Sequence, residues 1–236
     1  MKDEVILITG GTSGYGKETA RIFAKNGYKV IITGHNEQRL KEAAAELGTD
    51  CFLADATNPA DWEKLYAYIV EKYGKIDFLL NNAGGGVSIK ETAEQSVADI
   101  DRIMMLNLNS AIYGCRQFAP LFMKQKFGTV MNVSSVCAKL AWPGWTVYAA
   151  AKWGVLGFTK GLTTELGPYG IRVSCILPGA GDTNFDKNAN FKDRGMIPSM
   201  KGEDIAQAIY DAYMLPKHIW VEEITVWGID QISVPL

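Results

Sequence analysis

Histidine and cysteine are scarce in this sequence of 236 residues: His35 and His218, with Cys51, Cys115, Cys137 and Cys175. No two cysteines form a CxxC pair, and two histidines cannot complete a zinc set with them, so no metal site is expected. Cys51, Cys115 and Cys175 sit in apolar runs, where a thiol packs as a small hydrophobe. Excess charge is also missing: 24 Lys+Arg stand against 26 Asp+Glu, a net −2. With no field to draw in DNA, RNA or anionic lipid, neither nucleic acid nor a membrane is an expected partner. No apolar run reaches the roughly 18 residues that span a bilayer. Met1-Lys2-Asp3-Glu4 leads directly into a strand pattern without the apolar core of a signal peptide. The expectation is a cytoplasmic protein with reduced thiols.

Low-complexity linkers, charge blocks and tandem repeats are absent as well. What remains is an alternation of short apolar runs with longer helical patterns. Residues 5–9, 29–33, 50–54, 76–80, 129–133 and 172–176 are brief, rich in Val, Ile and Leu, and bounded by Gly, Asn, Asp or Pro. Near-continuous apolarity over four or five residues suits strands covered on both faces. Helical spacing fills 17–26, 37–47, 61–73, 100–124 and 149–166, with a further helix at 202–215 and a closing strand at 220–227. Repeated β-α units predict an α/β fold: a doubly wound parallel sheet with right-handed crossovers, a single Rossmann-type domain over residues 1–236. The one irregular stretch, at about 181–200, follows a strand end and is expected to be a substrate lid or binding loop.

After the first strand comes Thr9-Gly10-Gly11-Thr12-Ser13-Gly14-Tyr15-Gly16 and then a helix. Gly10 permits the tight turn, Gly14 lets backbone approach a pyrophosphate, and Gly16 lets the helix pack close to the sheet. The helix N-terminus offers unpaired N–H groups and a positive dipole to the phosphates. Strand–turn–helix is the context that turns a Gly-rich loop into a dinucleotide site. The spacing is GxxxGxG, with three residues between the first two glycines.

That spacing, preceded by Thr, resembles the short-chain dehydrogenase/reductase family. The match extends through Asn81-Asn82-Ala83-Gly84, Asn107, Ser135, Tyr148-Ala149-Ala150-Ala151-Lys152, and Pro178-Gly179 followed by Thr183. Ser135 lies thirteen residues before Tyr148, the interval usual in that family. The resemblance implies an oxidoreductase with Ser135, Tyr148, Lys152 and Asn107 as catalytic residues. It implies cofactor contacts at Gly10, Thr12, Ser13, Gly14, Tyr15, Gly16, Asn82, Ala83, Gly84, Tyr148, Lys152, Pro178, Gly179 and Thr183. Lys152 would also bind the nicotinamide ribose, and Asn107 would hold a water between Lys152 and solvent. Asp55 matches the family's aspartate near the adenine, or it caps a turn.

Tyr148 and Lys152, four apart on a helix, share a face. A free phenol with a pKa of ~10 is a poor base at neutral pH. A neighbouring ammonium favours the phenolate. Tyr148 would then give a proton to a carbonyl oxygen during reduction, or take one from an alcohol during oxidation. Ser135 would hydrogen-bond the same oxygen. Ser134 reads as a backbone-bonding neighbour.

An NAD site places Asp or Glu after the second strand, where it binds the adenosine ribose. Here that place holds Gly34, followed by His35 and Asn36. The absent carboxylate opens the site to a 2′-phosphate, so NADP(H) is the expected cofactor and NAD(H) the alternative. His35 lacks the fixed charge and fork of Arg, so phosphate binding through it would strengthen at acidic pH. Thr33 and Arg39 are further candidates for that contact.

Ser135, Cys137, Trp142, Trp145, Tyr148, Gly179 and the 181–200 loop should frame the pocket for a small alcohol or carbonyl substrate. Trp142 and Trp145 either narrow its entrance or pack at a subunit or loop contact. The Gly loop, Ile32-Thr33-Gly34 and the tail from Leu215 to Trp227 look similar to the NADP-dependent branch that oxidises serine and other 3-hydroxy acids. By resemblance, helices 100–124 and 149–166 would join subunits into a homotetramer or homodimer. Two rival readings stand: an NADP(H)-binding sensor without turnover, and a carrier-linked 3-ketoacyl reductase docking through Arg116, Lys124 and Lys126.

Overall fold

The computed structural model describes residues 2–181, 185 and 199–231. Its sheet is wholly parallel, and the chain enters it at the centre. Strand β1 (Val5–Ile8) is followed by α1 (Gly14–Lys25), β2 (Lys29–Gly34), α2 (Glu37–Leu47), β3 (Asp50–Leu53) and α3 (Pro59–Tyr73). The chain then returns past its start to β4 (Phe78–Asn81), α4 (Val97–Met104), α5 (Ser110–Gln125) and β5 (Gly128–Val133). It ends with α6 (Thr146–Leu166), β6 (Ile171–Pro178), α7 (Gly202–Met214) and β7 (Glu223–Val226). The strand order is β3-β2-β1-β4-β5-β6-β7. Winding reverses between β1 and β4, which opens a crevice at their carboxyl ends. The fold is a Rossmann-like single domain.

Alternation along each strand divides the core. Ile6 and Ile8 of β1 face one layer, with Phe23 of α1, Leu40 of α2 and Ile205, Ile209 and Tyr213 of α7. Val5 and Leu7 face the other, with Trp62, Leu65 and Ile69 of α3, Phe118 and Phe122 of α5, and Leu162 of α6. Both faces are covered, which is why the strands read as unbroken apolar runs. Each such side chain contributes about 1.5–3 kcal/mol on burial. Phe23 lies at the centre of the first layer, its ring 5.1–5.6 Å from those of Tyr28, Phe78, Tyr210 and Tyr213.

Helix ends follow local chemistry. Asn36 caps α2 by accepting from the Arg39 amide, and Asn58 caps α3 by accepting from Ala60, with Pro59 at the first helical position. The single helix expected over 100–124 is instead two. A π-helical turn, Met105–Asn109, separates α4 from α5. Within it the Asn107 amide donates to the Ile103 carbonyl at 3.1 Å and to the Gly85 carbonyl at 3.0 Å. A side chain that competes for the carbonyl four residues back loosens the regular ladder there.

Candidate active site

The crevice between β1 and β4 is stitched by Thr9. Its buried hydroxyl accepts from the backbone amides of Asn82, at 3.0 Å, and Ala83, at 2.9 Å, and donates to the Leu80 carbonyl. Asn82 returns the contact, its side-chain amide donating to the carbonyls of Thr9 at 2.9 Å and Gly10 at 3.2 Å. The end of β4 is thus fixed against the start of the Gly loop. Gly10 and Gly14 adopt positive φ, +63° and +54°, a region that suits glycine. At Gly16 a Cβ would fall 2.4 Å from Asn82 Nδ2 and 2.5 Å from the Gly10 carbonyl oxygen. Ser13 stands exposed at the N-cap of α1 without a capping side-chain hydrogen bond, and no acidic residue occupies the first turn. Uncapped amides with no carboxylate beside them suit a diphosphate, so this loop fits a dinucleotide.

The expected selectivity residues lie at the carboxyl end of β2. A Cβ at Gly34 would come within 2.7 Å of Thr12 Cγ2, so the Thr12 methyl occupies the space a side chain there would use. His35 and Asn36 are exposed, and Asn36 spends its side-chain oxygen on the α2 cap. Asp55 accepts from the Thr57 amide at 2.8 Å and the Thr57 hydroxyl at 2.7 Å, which is the geometry of a turn cap.

Ser135, Tyr148 and Lys152 converge where β5 ends. Ser134 Oγ donates to the Lys152 carbonyl at 2.8 Å, and Lys152 Nζ donates to the Val133 carbonyl at 3.0 Å. Those two bonds fix the strand end against α6, with Ser135 next in the chain. Ser135 is buried, its hydroxyl accepting from the Cys137 amide at 3.1 Å. Tyr148 and Cys137 pack in one cluster. Lys152 Nζ lies 5.6 Å from the centroid of the Tyr148 ring. Burial pushes the Lys152 ammonium down to about 8, because desolvation penalises its charged form. Gly84 belongs to the same locus, since a Cβ there would be 3.4 Å from Lys152 Nζ and 3.1 Å from Asn107 Oδ1. Asn107, in the π turn, also accepts from the Gly85 amide at 2.9 Å, so its side chain holds the strap that follows β4.

An aromatic wall flanks Tyr148. Trp145 and Phe185 lie parallel, with ring centroids 5.8 Å apart, and the Tyr148 ring stands edge-on to both, at 5.6 and 5.4 Å. Trp145 therefore packs on a residue of the 181–200 segment, the loop contact weighed for it. Pro178 ends β6, and the Gly179 amide donates to the Val226 carbonyl at 2.8 Å. Thr183 and most of the 181–200 segment lie outside the described residues.

Sequence reasoning missed a polar network beneath this site. The fully buried Asn132 of β5 accepts from the Asn81 amide at 2.8 Å and donates to the Thr159 hydroxyl at 2.9 Å, tying β4 and β5 to α6. Phe185 and the C-terminal pair Asp230 and Gln231 were missed too. The polar character of Asn132 in an otherwise apolar strand was the one available signal.

A family model described as short chain dehydrogenase matches residues 4–194. The chain belongs to the short chain dehydrogenase family. It is accordingly an oxidoreductase, and its family resemblance in sequence carries through to relatives and solved structures. It is 31% identical over 229 residues to an uncharacterized oxidoreductase of Staphylococcus aureus strain USA300, covering 96% of this chain and 97% of the relative. It is 35% identical over 209 residues to tropinone reductase-like 1 of Erythroxylum coca, covering 86% and 76%. Among solved structures, the closed form of a serine dehydrogenase complexed with NADP+ superposes with a TM-score of 0.91 at 28% identity, covering 98% of each chain. No helix among the described residues is long and apolar enough to cross a membrane.

Proposed function

We propose that this oxidoreductase interconverts a small alcohol and its carbonyl compound using NADP(H), with Tyr148 as the general acid–base. The observation that carries the reading is the buried Lys152 ammonium, held by Val133 at the end of β5 and 5.6 Å from the Tyr148 ring centroid. The nicotinamide, when bound, supplies or accepts the hydride. Everything else falls to the chain. Tyr148 gives its phenolic proton to the substrate oxygen in reduction and takes one back in oxidation. Lys152, charged below about pH 8, favours the phenolate in that exchange. Ser135 donates a hydrogen bond to the same oxygen. Asn107 fixes Gly85, next to the Gly84 that lies beside Lys152.

Gly10, Thr12, Ser13, Gly14, Tyr15 and Gly16 would hold the diphosphate, with Asn82, Ala83, Gly84, Pro178 and Gly179 along the nicotinamide side. The choice of NADP(H) rests on Gly34, where no carboxylate meets a 2′-phosphate, and on Thr12 filling the space beside it. The NADP+ complex of the similar serine dehydrogenase agrees with that choice. The Trp145–Phe185–Tyr148 wall favours a carbonyl bearing an apolar group over one bearing a charge. Assembly in the cytoplasm as a homotetramer or homodimer through α5 and α6 belongs to the same proposal. Trp153 of α6, with 53% of its surface exposed, is an apolar group that a partner helix would cover.

The test is reduction of NADP+ and, separately, NAD+ by purified protein on secondary alcohols, polyols and 3-hydroxy acids, with Tyr148→Phe beside the wild type. The expected result is turnover with NADP+ that vanishes in Tyr148→Phe while NADPH binding persists. Turnover surviving in Tyr148→Phe refutes the assignment of Tyr148. Tight NADPH binding without turnover on any alcohol or carbonyl favours the sensor reading.

A further inference from the structure

Two short stretches of chain border the Gly loop from the far side of the crevice. One leaves β6 as Gly179-Ala180-Gly181. At Gly181 a Cβ would fall 2.4 Å from the hydroxyl of Tyr15, so this backbone lies directly against the loop's tyrosine. The other enters α7 through Ser199 to Gly202. At Gly202 a Cβ would meet Glu18 Cγ at 3.2 Å and the Gly14 carbonyl at 3.7 Å. Both stretches therefore rest on the loop that fits the dinucleotide, one on Tyr15 and one on Gly14.

Both are also held by one small element at the C-terminal side, the 3-10 turn Ile229–Gln231. The Ala180 amide donates to Gln231 Oε1 at 2.9 Å, and Gln231 Nε2 donates back to the Ala180 carbonyl. That is two-point pairing of a side-chain amide with the N–H and C=O of one residue, which holds the peptide groups on both sides of Ala180. The neighbouring residue does the same for the other stretch. Asp230 accepts from the Ser199 amide at 2.9 Å and from the Ser199 hydroxyl at 2.6 Å. Those bonds keep the Asp230 carboxyl below its ordinary range. Gly228 lies close against both side chains: a Cβ there would fall 2.5 Å from Asp230 Oδ1 and 3.1 Å from both Gln231 Nε2 and Ser199 Oγ.

We propose that Asp230 and Gln231 are positioning residues of the dinucleotide site, a brace that sets Gly181 against Tyr15 and Gly202 against Gly14. The inference rests on the reading of the Gly loop as a dinucleotide site. Among the described residues their side-chain hydrogen bonds go to Ala180 and Ser199, so each acts through the stretch it holds. Because a bound dinucleotide and the brace order the same backbone, each strengthens the other, as linkage requires.

The experiment is NADPH titration by fluorescence of the wild type and of Gln231→Ala, Gln231→Glu, Asp230→Ala and Asp230→Asn. Thermal unfolding of each cofactor-free protein is run beside it. Gln231→Ala and Asp230→Ala should each raise the NADPH Kd about five- to tenfold, the equivalent of one or two ordinary hydrogen bonds. Asp230→Asn keeps an acceptor for Ser199 and should recover part of the loss, whereas Gln231→Glu sets a carboxylate oxygen against the Ala180 carbonyl and should not. The cofactor-free unfolding temperatures should stay close to that of the wild type. Hydrogen exchange needs no variant: NADPH should slow exchange at the amides of residues 228–231 in the wild type. Alanine variants that bind NADPH like the wild type overturn the brace, as does a loss of affinity that merely follows a fall in unfolding temperature. Unchanged exchange at 228–231 on NADPH binding also overturns it. A wild-type protein that binds neither NADPH nor NADH refutes the dinucleotide reading itself, and the brace falls with it.

Discussion

Replacing Lys152 with Met should remove turnover and, near neutral pH, leave the protein at least as stable as before. Met has nearly the length of Lys and carries no charge, so it tests what the buried ammonium costs. Burial lowers Lys152 from 10.5 to about 8. At roughly 1.4 kcal/mol per unit, keeping that charge in place costs about 3 kcal/mol at pH 7. The hydrogen bond from Nζ to the Val133 carbonyl works the other way. Losing its donor leaves a buried acceptor unpaired, at about 1–3 kcal/mol. The net is a stabilisation of about 0–2 kcal/mol in Lys152→Met at pH 7.

The pH dependence isolates the charge from the hydrogen bond. As pH rises through 8 the folded Lys152 releases its proton, whereas the unfolded chain keeps it to about 10.5. Over that window the unfolded state binds more protons, so stability rises with pH. Read downward, the stability contributed by the neutral amine is complete above 10.5 and is lost as pH falls through 8. The neighbouring Cys175 thiol, which burial pushes up to about 12, works the other way, because the unfolded thiol releases its proton near 9 while the folded one keeps it; it does so in both proteins and cancels in their difference. Between pH 7 and 9.5 the wild type should therefore gain about 2 kcal/mol that Lys152→Met does not. Urea unfolding of both proteins at the two pH values and one protein concentration measures it, since every other titration cancels in the difference. A difference that stays constant, or that moves in favour of Lys152→Met as pH rises, refutes the burial argument.

Gly34→Asp should raise the NADPH Kd at least about tenfold by setting a carboxylate where a 2′-phosphate would lie. The gain for NADH should be larger when Thr12→Ser is added, because the Thr12 methyl stands 2.7 Å from the new Cβ; titration of both cofactors against both variants decides it. Gly16→Ala should cost about 1–3 kcal/mol in urea unfolding and weaken NADPH binding, because its Cβ meets the Gly10 carbonyl oxygen at 2.5 Å. Asn132→Ala strips the acceptor from Asn81 and the donor from Thr159. It should cost at least about 2 kcal/mol by the same unfolding assay, with equal stability refuting the role given to the network.

The parts of the site that the sequence disclosed are those written in local spacing. Lys152 follows Tyr148 by one helical turn, and the glycines follow a strand and open a helix, so pattern alone places them. The sheet is legible for the same reason: Val5–Ile8 and Phe78–Asn81 are buried throughout, and burial on both faces leaves an apolar run. The π turn was not legible, because the Asn107 side chain that competes for the Ile103 carbonyl is also held by Gly85, twenty-two positions away. The clasp of Thr9 on Asn82 spans more than seventy positions, and the bond from Ala180 to Gln231 spans fifty-one. Contacts at such separation depend on strand order, and β1 lies beside β4 rather than β3 only because the winding reverses. Asp55 shows the converse: the hydrogen bonds of its carboxylate reach only two residues on, to Thr57, a turn cap that local sequence could name.

The sheet order also separates stability from chemistry. At the amino ends of the strands the polar groups are paired with one another. Asp3 bridges Lys29 and Lys75 at 2.7 and 3.0 Å, and Asp77 accepts from the Val5 amide at 2.8 Å. Arg172 donates to Thr129 and to the Tyr213 carbonyl, tying β5 and β6 to the end of α7. At the carboxyl ends the polar groups hold backbone in place around an opening: Thr9 holds Asn82, Ser134 holds Lys152, and Asn107 holds Gly85. A substitution among the first set should lower stability without altering the ratio of NADPH to NADH affinity, because no part of that set reaches the crevice. A substitution among the second should move affinity or turnover before it moves the unfolding temperature, since the backbone each residue steadies is the wall of the site. Arg172→Lys and Thr9→Val form the pair that separates the two: unfolding temperature should fall more in the first, and NADPH affinity more in the second. Equal losses of affinity in both would mean that the sheet transmits strain from end to end and that the division fails.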